Sequence, residues 1–211
     1  MLIDLHIHEM KYSSDSQISL DDILIKAKEI GLDGVCITNH DNNFIRNEID
    51  YYHKKYGITI IAGAEILSRQ GDVLAFVNDT LHIEDNKIDA DELLDYIKHK
   101  NGIAISAHPF RNNNRGLGNF LMKISYKLSA VEAFNGSTLA HHNLYGFALA
   151  KELNIPSTGG SDAHILDNVG KFATYFKDKI RDEKDFIEAI KSKEFFPAVY
   201  RGNRYEIVNY I

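Results

Sequence analysis

Short runs of apolar residues alternate along the chain with longer amphipathic stretches. The apolar runs have the length of strands and predict them at residues 2–7, 33–38, 58–62, 73–77, 103–106, 130–133, 156–158 and 172–176. The amphipathic stretches predict helices at about 20–30, 43–56, 90–99, 117–127, 138–153 and 183–193. Strand–helix alternation of this kind is typical of parallel βαβ units.

Two of the predicted helices have recognisable starts. Ser19 precedes a helical apolar stripe, Asp22 stands three residues later as in a capping box, and Gly31 ends the stripe. Asp89 stands before a second stripe in the same way. After residue 193 the chain ends in two short β segments, so we expect a few strands outside the alternating series.

The length and composition favour one domain over residues 1–211. No sequence repeat or linker interrupts the 211 residues, and only three are proline. No apolar run reaches eighteen residues and no basic segment leads into a long apolar one near the N-terminus, so we expect a cytoplasmic protein with no membrane partner. Cys36 is the single cysteine, which excludes an intrachain disulfide.

Residue types that bind metal ions follow most of the predicted strands. They are His6, His8, His40, Asp41, Glu65, His108, Glu132, Asn135, Asp162 and His164. In a parallel barrel the carboxyl ends of the strands meet on one face, and that face carries the active site. Each residue alone is also typical of an exposed histidine or a helix cap. Because five of the ten histidines stand at such ends, we expect a shared metal centre.

Five ordered motifs resemble those of the PHP family, named for polymerase and histidinol phosphatase. They are His6-Ile7-His8 followed by Asp15, Thr38-Asn39-His40-Asp41, Gly63-Ala64-Glu65, Ala107-His108-Pro109 and Gly160-Ser161-Asp162-Ala163-His164. The resemblance spans residues 2–170. It implies an α/β fold, a distorted seven-stranded TIM-like (β/α) barrel, with two or three divalent metal ions (Mn, Fe or Zn) and phosphoester hydrolysis.

The resemblance also implies which residues bind each ion. The three groups are His6, His8, Glu65 and Asp162; Glu65 shared with His108; and Asp15, His40 and His164. Asp72 stands where many relatives have a histidine ligand, and a carboxylate there favours Mn²⁺ or Fe²⁺ over Zn²⁺. Asn39 stands where an aspartate is common, which we expect to alter a hydrogen bond to a ligand and not a ligand itself.

The implied chemistry is attack on phosphorus by a hydroxide held between two ions. We therefore expect catalytic roles for Glu65, Asp162 and His164. Arg111, three residues after His108, is the best candidate for binding the phosphate, because a guanidinium matches two phosphate oxygens. Arg115 and Lys11 are alternatives. The remaining histidines lie in polar contexts and are assigned to the surface; they are His53, His82, His99, His141 and His142.

The leading functional hypothesis is hydrolysis of a small phosphorylated metabolite or nucleotide. A nuclease-like phosphodiesterase and a non-catalytic barrel that binds metal or a partner are the alternatives. The net charge of −6 and the lack of a basic, aromatic track argue against a nucleic-acid partner. The motifs leave the substrate and the oligomeric state open.

Overall fold

The computed structural model describes residues 1–83 and 88–208. Its strands are β1 (Leu2–Ile7), β2 (Gly34–His40), β3 (Thr59–Leu67), β4 (Asp72–Phe76), β5 (Ile103–Ser106), β6 (Ala130–Asn135), β7 (Ser157–Gly160), β8 (Phe172–Phe176), β9 (Phe195–Tyr200) and β10 (Tyr205–Ile207). Its α-helices are α1 (Leu20–Glu29), α2 (Ile49–Tyr56), α3 (Ala90–His99), α4 (Leu121–Ile124), α5 (Ala140–Glu152) and α6 (Glu183–Ser192). No helix of these described ranges is long and apolar enough to cross a membrane.

One curled sheet contains all ten of these strands, in the order β10-β9-β8-β1-β2-β3-β4-β5-β6-β7. Strands β1, β2 and β3 are mutually parallel, and so are β5, β6 and β7. The curl brings the end of β7 back to β1, where Ile7 forms a bridge with Ala163. The N–H of Asp162 donates to the carbonyl of His6 at 2.7 Å across this junction. The last residues of β1 and the segment after β7 are therefore neighbours.

Strand β4 departs from the alternation of parallel βαβ units that the sequence pattern predicts. It runs antiparallel to both β3 and β5, and a tight hairpin at residues 68–71 joins it to β3. A parallel connection needs a crossover of a dozen or more residues, and this link is too short for one. Because β4 is reversed, its first residue, Asp72, lies at the same end of the sheet as the last residues of the parallel strands. The mixed α/β class is confirmed.

The predicted helix starts are found, but one cap differs. The Ser19 side chain accepts from the N–H of Asp22 at 3.1 Å, as expected for an N-cap. Helix α3 also starts where predicted, but the Asp89 side chain does not cap it. Gln70 does so instead, because its Oε1 accepts from the N–H of Ala90 at 2.8 Å. This cap comes from the β3–β4 hairpin, 20 positions before Ala90, so the sequence around the helix start does not predict it.

An apolar cluster fills the interior of the sheet below the predicted metal ligands. Phe76 is fully buried there, and its ring centroid lies 4.8 Å from that of Phe186 on α6. Gly63 makes room for the ring, since a Cβ at this position would lie 2.4 Å from Cε1 of Phe76. Cys36 is buried in the same cluster.

Replacing Phe76 with alanine should lower the free energy of unfolding by about 3–5 kcal/mol. The close-packed ring would leave a cavity that its rigid neighbours cannot fill. Urea denaturation measures the loss, with Tyr126→Ala as the control because the Tyr126 side chain is exposed. A loss for Phe76→Ala no larger than that of the control would contradict this account of the core.

Candidate metal centre

The sheet brings together the side chains that the sequence predicts as ligands. Strand β1 supplies His6 and leads into His8, and β2 ends at His40. Register places Glu65 of β3 directly opposite His40. The other members follow or begin strands at the same edge; they are Asp72, His108, Asp162 and His164. The expected convergence is therefore observed, and the proposed ligand roles rest on the geometry of three adjoining groups.

The first group consists of His6, His8, Glu65 and Asp162, and all four side chains are buried. The Nε2 atoms of His6 and His8 face each other at 3.0 Å. Glu65 Oε1 and Asp162 Oδ1 each lie 3.4 Å from Nε2 of His6. Ligand atoms that share one ion at about 2 Å lie roughly 3 Å apart. The ligand atoms of His6, His8 and Glu65 lie close enough to one another for a single ion, and those of His6, His108 and Asp162 form an adjoining set of the same kind.

Two further groups adjoin the first through Glu65. On one side, His108 Nε2 lies 2.8 Å from Glu65 Oε1 and 3.8 Å from Asp72 Oδ2. On the other side, His40 Nδ1 lies 3.2 Å from Glu65 Oε2. The ligand atoms of His8, His40 and His164 lie close enough to share one ion. Asp15 Oδ2 adjoins this third group, at 3.0 Å from His40 Nε2 and 3.3 Å from His164 Nε2. One carboxylate thus lies at the junction of all three groups.

The donor set fits divalent cations. Asp162 Oδ1 is buried and has no hydrogen-bond partner among the described residues, although it faces the two histidine nitrogens. An unpartnered buried carboxylate oxygen is costly unless a cation satisfies it. Imidazole nitrogen together with carboxylate oxygen suits Mn²⁺, Fe²⁺ and Zn²⁺.

Electrostatics in the first group favour a bound cation. Burial lowers the pKa of His8 to about 4, so its ring is neutral at pH 7, which is the form that binds metal. Burial also acts to lower the pKa of His6, but the carboxylates of Asp162, Glu132 and Glu65 outweigh it and raise this pKa well above its usual value. The negative field that raises the pKa of His6 also attracts metal ions.

Glu132 of β6 contacts the Nδ1 side of the His6 ring, opposite the Nε2 atom that faces the ligand group. Its Oε1 lies 3.0 Å from Nδ1 of His6, and its Oε2 accepts from the N–H of His108 at 3.0 Å. Asn135 donates to the same Oε2 at 2.9 Å. A carboxylate on Nδ1 fixes the histidine tautomer and leaves Nε2 for the ion. The sequence indicated Glu132 only as an acidic residue in a predicted strand. Its contact with His6 could not be predicted from the sequence.

Asn39 acts through a hydrogen-bond chain, as expected. Its Oδ1 accepts from the Ser13 hydroxyl at 3.1 Å, and the Ser13 Oγ lies 3.2 Å from Nδ1 of His8. Its Nδ2 donates to the buried Glu9 at 2.9 Å. Asn39 therefore supports the position of His8 from outside the ligand groups.

Asp4 is a second supporting residue that sequence reasoning missed. It is fully buried, and its carboxylate accepts from the N–H groups of Ser161 at 2.8 Å and Gly170 at 2.9 Å. Burial raises its pKa to about 7. The sequence did carry a signal for this role, because Asp4 is an acidic residue inside the apolar run Leu2-Ile3-Asp4-Leu5. Asp4 ties β1 to the segment that carries Asp162.

Two predicted ligands have unusual backbone conformations. His108 has φ +26° and Asp162 has φ +52°, a region that residues with a Cβ seldom adopt. Such conformations persist where surrounding contacts fix them, and they concentrate at functional sites.

The three candidate phosphate-binding cations differ in their surroundings. Arg111 donates to Asn135 Oδ1 at 2.7 Å and also bonds to Asp162, with its side chain 19% exposed at the edge of the first group. Arg115 pairs with Asp72. Lys11 pairs with Glu48 at 2.6 Å. Of the three, Arg111 lies closest to the first group.

The five histidines assigned to the surface take no part in these groups. Within the described residues, the groups close enough to share an ion contain none of His53, His82, His99, His141 and His142. The rings of His141 and His142 contact each other at the start of α5 in a tilted arrangement, and His53 Nδ1 lies 2.9 Å from the carbonyl of Ile58.

Replacing Glu132 with glutamine should weaken metal affinity by about 10- to 100-fold. The amide loses the charge that orients Nδ1 of His6, which is the usual scale for such supporting residues. Isothermal titration of chelator-treated protein with Mn²⁺ measures the change, and Glu152→Gln on α5 serves as a control. Unchanged affinity would mean that His6 is held by packing alone.

Comparisons with known proteins agree with this architecture. The PHP_C family model, described as PHP-associated, matches residues 140–195. The uncharacterised protein MJ1587 of Methanocaldococcus jannaschii is 31% identical over 148 residues, which cover 64% of this chain and 82% of that protein.

Solved structures share the fold. A two-domain protein of Bacteroides vulgatus that contains a predicted PHP-like metal-dependent phosphoesterase superposes with a TM-score of 0.74 at 18% identity, over 95% of this chain and 65% of that one. An endonuclease Q, in complex with a 27-mer duplex bearing an abasic lesion at its active site, gives 0.63 at 18% identity, over 91% and 57%. The family-model match, the relative and the shared fold agree with the five ordered motifs, and the chain belongs to the PHP family.

Proposed function

We propose that the protein is a metal-dependent phosphoesterase that hydrolyses a small phosphorylated metabolite or nucleotide. The observation that carries the proposal is the junction of three ligand groups at Glu65. Bound cations would activate a water molecule and stabilise negative charge on the phosphoryl oxygens. Two or three Mn, Fe or Zn ions are the proposed cofactors.

The residues of the chain have distinct roles in this proposal. His6, His8, Glu65 and Asp162 would hold the first ion. Asp72 and His108 would join Glu65 around the second, and Asp15, His40 and His164 would hold the third. Arg111 lies beside Asp162 with its side chain 19% exposed, so it can bind a phosphate oxygen as the substrate docks. Glu132 keeps Nε2 of His6 directed at the ion.

A nuclease-like phosphodiesterase is the second candidate. The fold shared with an endonuclease Q bound to a DNA duplex favours it. The charges near the site favour a small substrate instead. Arg111, Arg115 and Lys11 each pair with a carboxylate, and the chain as a whole carries a net charge of −6. A DNA backbone usually binds to a continuous basic surface.

A screen with a separate readout for each substrate class separates these functions. Monoesters are followed by released inorganic phosphate, the aryl diester by its released phenol, and DNA by gel-resolved cleavage, because hydrolysis of a phosphodiester leaves the phosphate esterified. Protein loaded with Mn²⁺ is given phosphorylated metabolites, nucleotides, an aryl phosphodiester, single-stranded DNA and a duplex with an abasic lesion. We expect turnover of small phosphoesters that exceeds turnover of either DNA. Cleavage of DNA alone would establish the nuclease alternative. A full metal complement with no turnover of any compound would favour the non-catalytic barrel.

A further inference from the structure

Arg115 binds both oxygens of Asp72. Its Nε donates to Oδ2 at 2.7 Å and its Nη2 donates to Oδ1 at 3.1 Å. The Asp72 side chain is fully buried, whereas that of Arg115 is 36% exposed. A bidentate, charge-assisted pair of this kind is among the strongest hydrogen-bonded contacts in proteins. A cation that approaches Asp72 must therefore share its carboxylate with a guanidinium.

Asp162 offers a direct contrast within the same centre. Arg111 and Asn135 both donate to Oδ2 of Asp162. Its Oδ1 has no hydrogen-bond partner in the part of the chain that the structure describes, and it lies 3.4 Å from His6 Nε2 and 3.5 Å from His8 Nε2. The first group thus presents an oxygen that is free for a cation, while both oxygens of Asp72 are already hydrogen-bonded.

We propose that Arg115 competes with a divalent cation for Asp72, so that the group of Glu65, Asp72 and His108 binds metal more weakly than the first group and fills after it. This inference rests on the proposed metal centre. The Arg115 Nε atom lies 2.7 Å from Oδ2 of Asp72, and the same oxygen lies 3.8 Å from His108 Nε2, so the guanidinium charge stands beside the place where the second cation would bind. Repulsion from this charge and the bonds to Asp72 both oppose the metal.

The main chain around Asp72 is held by contacts other than the Arg115 guanidinium, so the Arg115–Asp72 pair can separate without loss of the fold. The N–H of Asp72 donates to the carbonyl of Arg115 at 2.6 Å, independently of the guanidinium. Gly71 packs against Gly116, the residue that follows Arg115. A Cβ on Gly71 would lie 2.5 Å from the carbonyl carbon of Gly116. These main-chain contacts keep the loop in place when the Arg115 side chain turns toward solvent or is removed.

Metal titration of arginine variants tests the proposal. Chelator-treated wild type, Arg115→Ala and Arg115→Lys are titrated with Mn²⁺ by calorimetry, and Arg204→Ala, at an exposed position, controls for the loss of charge. We expect wild type to show a tight and a weaker class of sites. In Arg115→Ala the weaker class should tighten at least about tenfold, the effect of removing one nearby positive charge. The tight class should change by less than about twofold.

Thermal unfolding gives a second readout that does not depend on activity. Without its partner the buried Asp72 is an uncompensated charge, so Arg115→Ala should melt lower than wild type in chelator and gain more from added Mn²⁺. Arg115→Lys, which keeps the charge but not the two-pronged contact, should show smaller changes in the same direction. If Arg115→Ala does not fold, the Mn²⁺ titration and the thermal unfolding of Arg115→Lys decide whether Arg115 competes with the metal.

Two outcomes overturn the proposal and differ from each other. If Arg115→Ala leaves the weaker class unchanged or weakens it further, Arg115 does not compete and instead positions Asp72. The proposed function would then still stand, since wild type would bind Mn²⁺ and hydrolyse phosphoesters. If wild type binds no Mn²⁺ at all, the metal centre and the proposed function fail together.

Discussion

Glu65→Gln should remove nearly all activity and part of the metal content at once. Glutamine keeps the shape of the side chain but not its charge, and Glu65 contacts His6, His40 and His108 in three groups. We expect kcat to fall by about a thousandfold, the scale of several kcal/mol of lost transition-state stabilisation. Metal analysis after dialysis should show fewer bound ions than in wild type.

The matched control for this prediction is Glu188→Gln, on the exposed face of α6. It removes the same charge far from any ligand group and should change neither kcat nor the metal content. Near-normal metal content and activity in Glu65→Gln would overturn the proposal that one carboxylate serves several ions.

Arg111→Ala should separate substrate binding from metal binding. Arg111 contacts Oδ2 of Asp162, whereas Oδ1 faces the histidines, so its loss leaves the metal-facing oxygen in place. We expect metal content close to that of wild type and a fall in kcat/KM of about 10- to 1000-fold, the usual scale for losing one charge-stabilising donor. Steady-state kinetics on the best substrate of the screen, beside metal analysis, measure both.

Arg111→Lys sharpens this test. Lysine keeps the charge but cannot form the two parallel bonds of a guanidinium, so it should recover only part of the loss. Near-normal kinetics of Arg111→Ala would show that another cation, Arg115 or Lys11, binds the phosphate. A large loss of bound metal would show that Arg111 supports Asp162 instead.

The candidate ligands could be predicted because their positions follow a simple rule. His6, His40, Glu65 and His108 each stand in or directly after an apolar run, and parallel strands bring such positions to one edge. The rule needs only local sequence and the direction of the strands. It brings the candidate ligands to one edge wherever the strands are parallel.

The direction of β4 could not be predicted in the same way. Its apolar run looks like that of a parallel strand, and only the short hairpin at residues 68–71 reverses it. The reversal explains why Asp72, which begins a strand, lies beside residues that end strands. Periodicity reports which face is buried, and it carries no information about strand direction.

The supporting contacts depend on residues far apart in the chain. Arg115 and Asp72 are 43 positions apart, and Glu132 and His6 are 126 apart. Such pairs arise from the packing of loops and strands that no local pattern describes. The sequence therefore predicted which residue types the centre contains, while the hydrogen bonds that orient them required the structure.

The most direct test of the metal-dependent mechanism is a titration of chelator-treated protein with Mn²⁺ while phosphate release is followed. The account predicts no turnover at the start, a rise to a plateau at two or three ions per chain, and no rise for Glu65→Gln. Full activity in the chelator-treated protein, or a fully loaded protein that hydrolyses none of the screened phosphoesters, would contradict it.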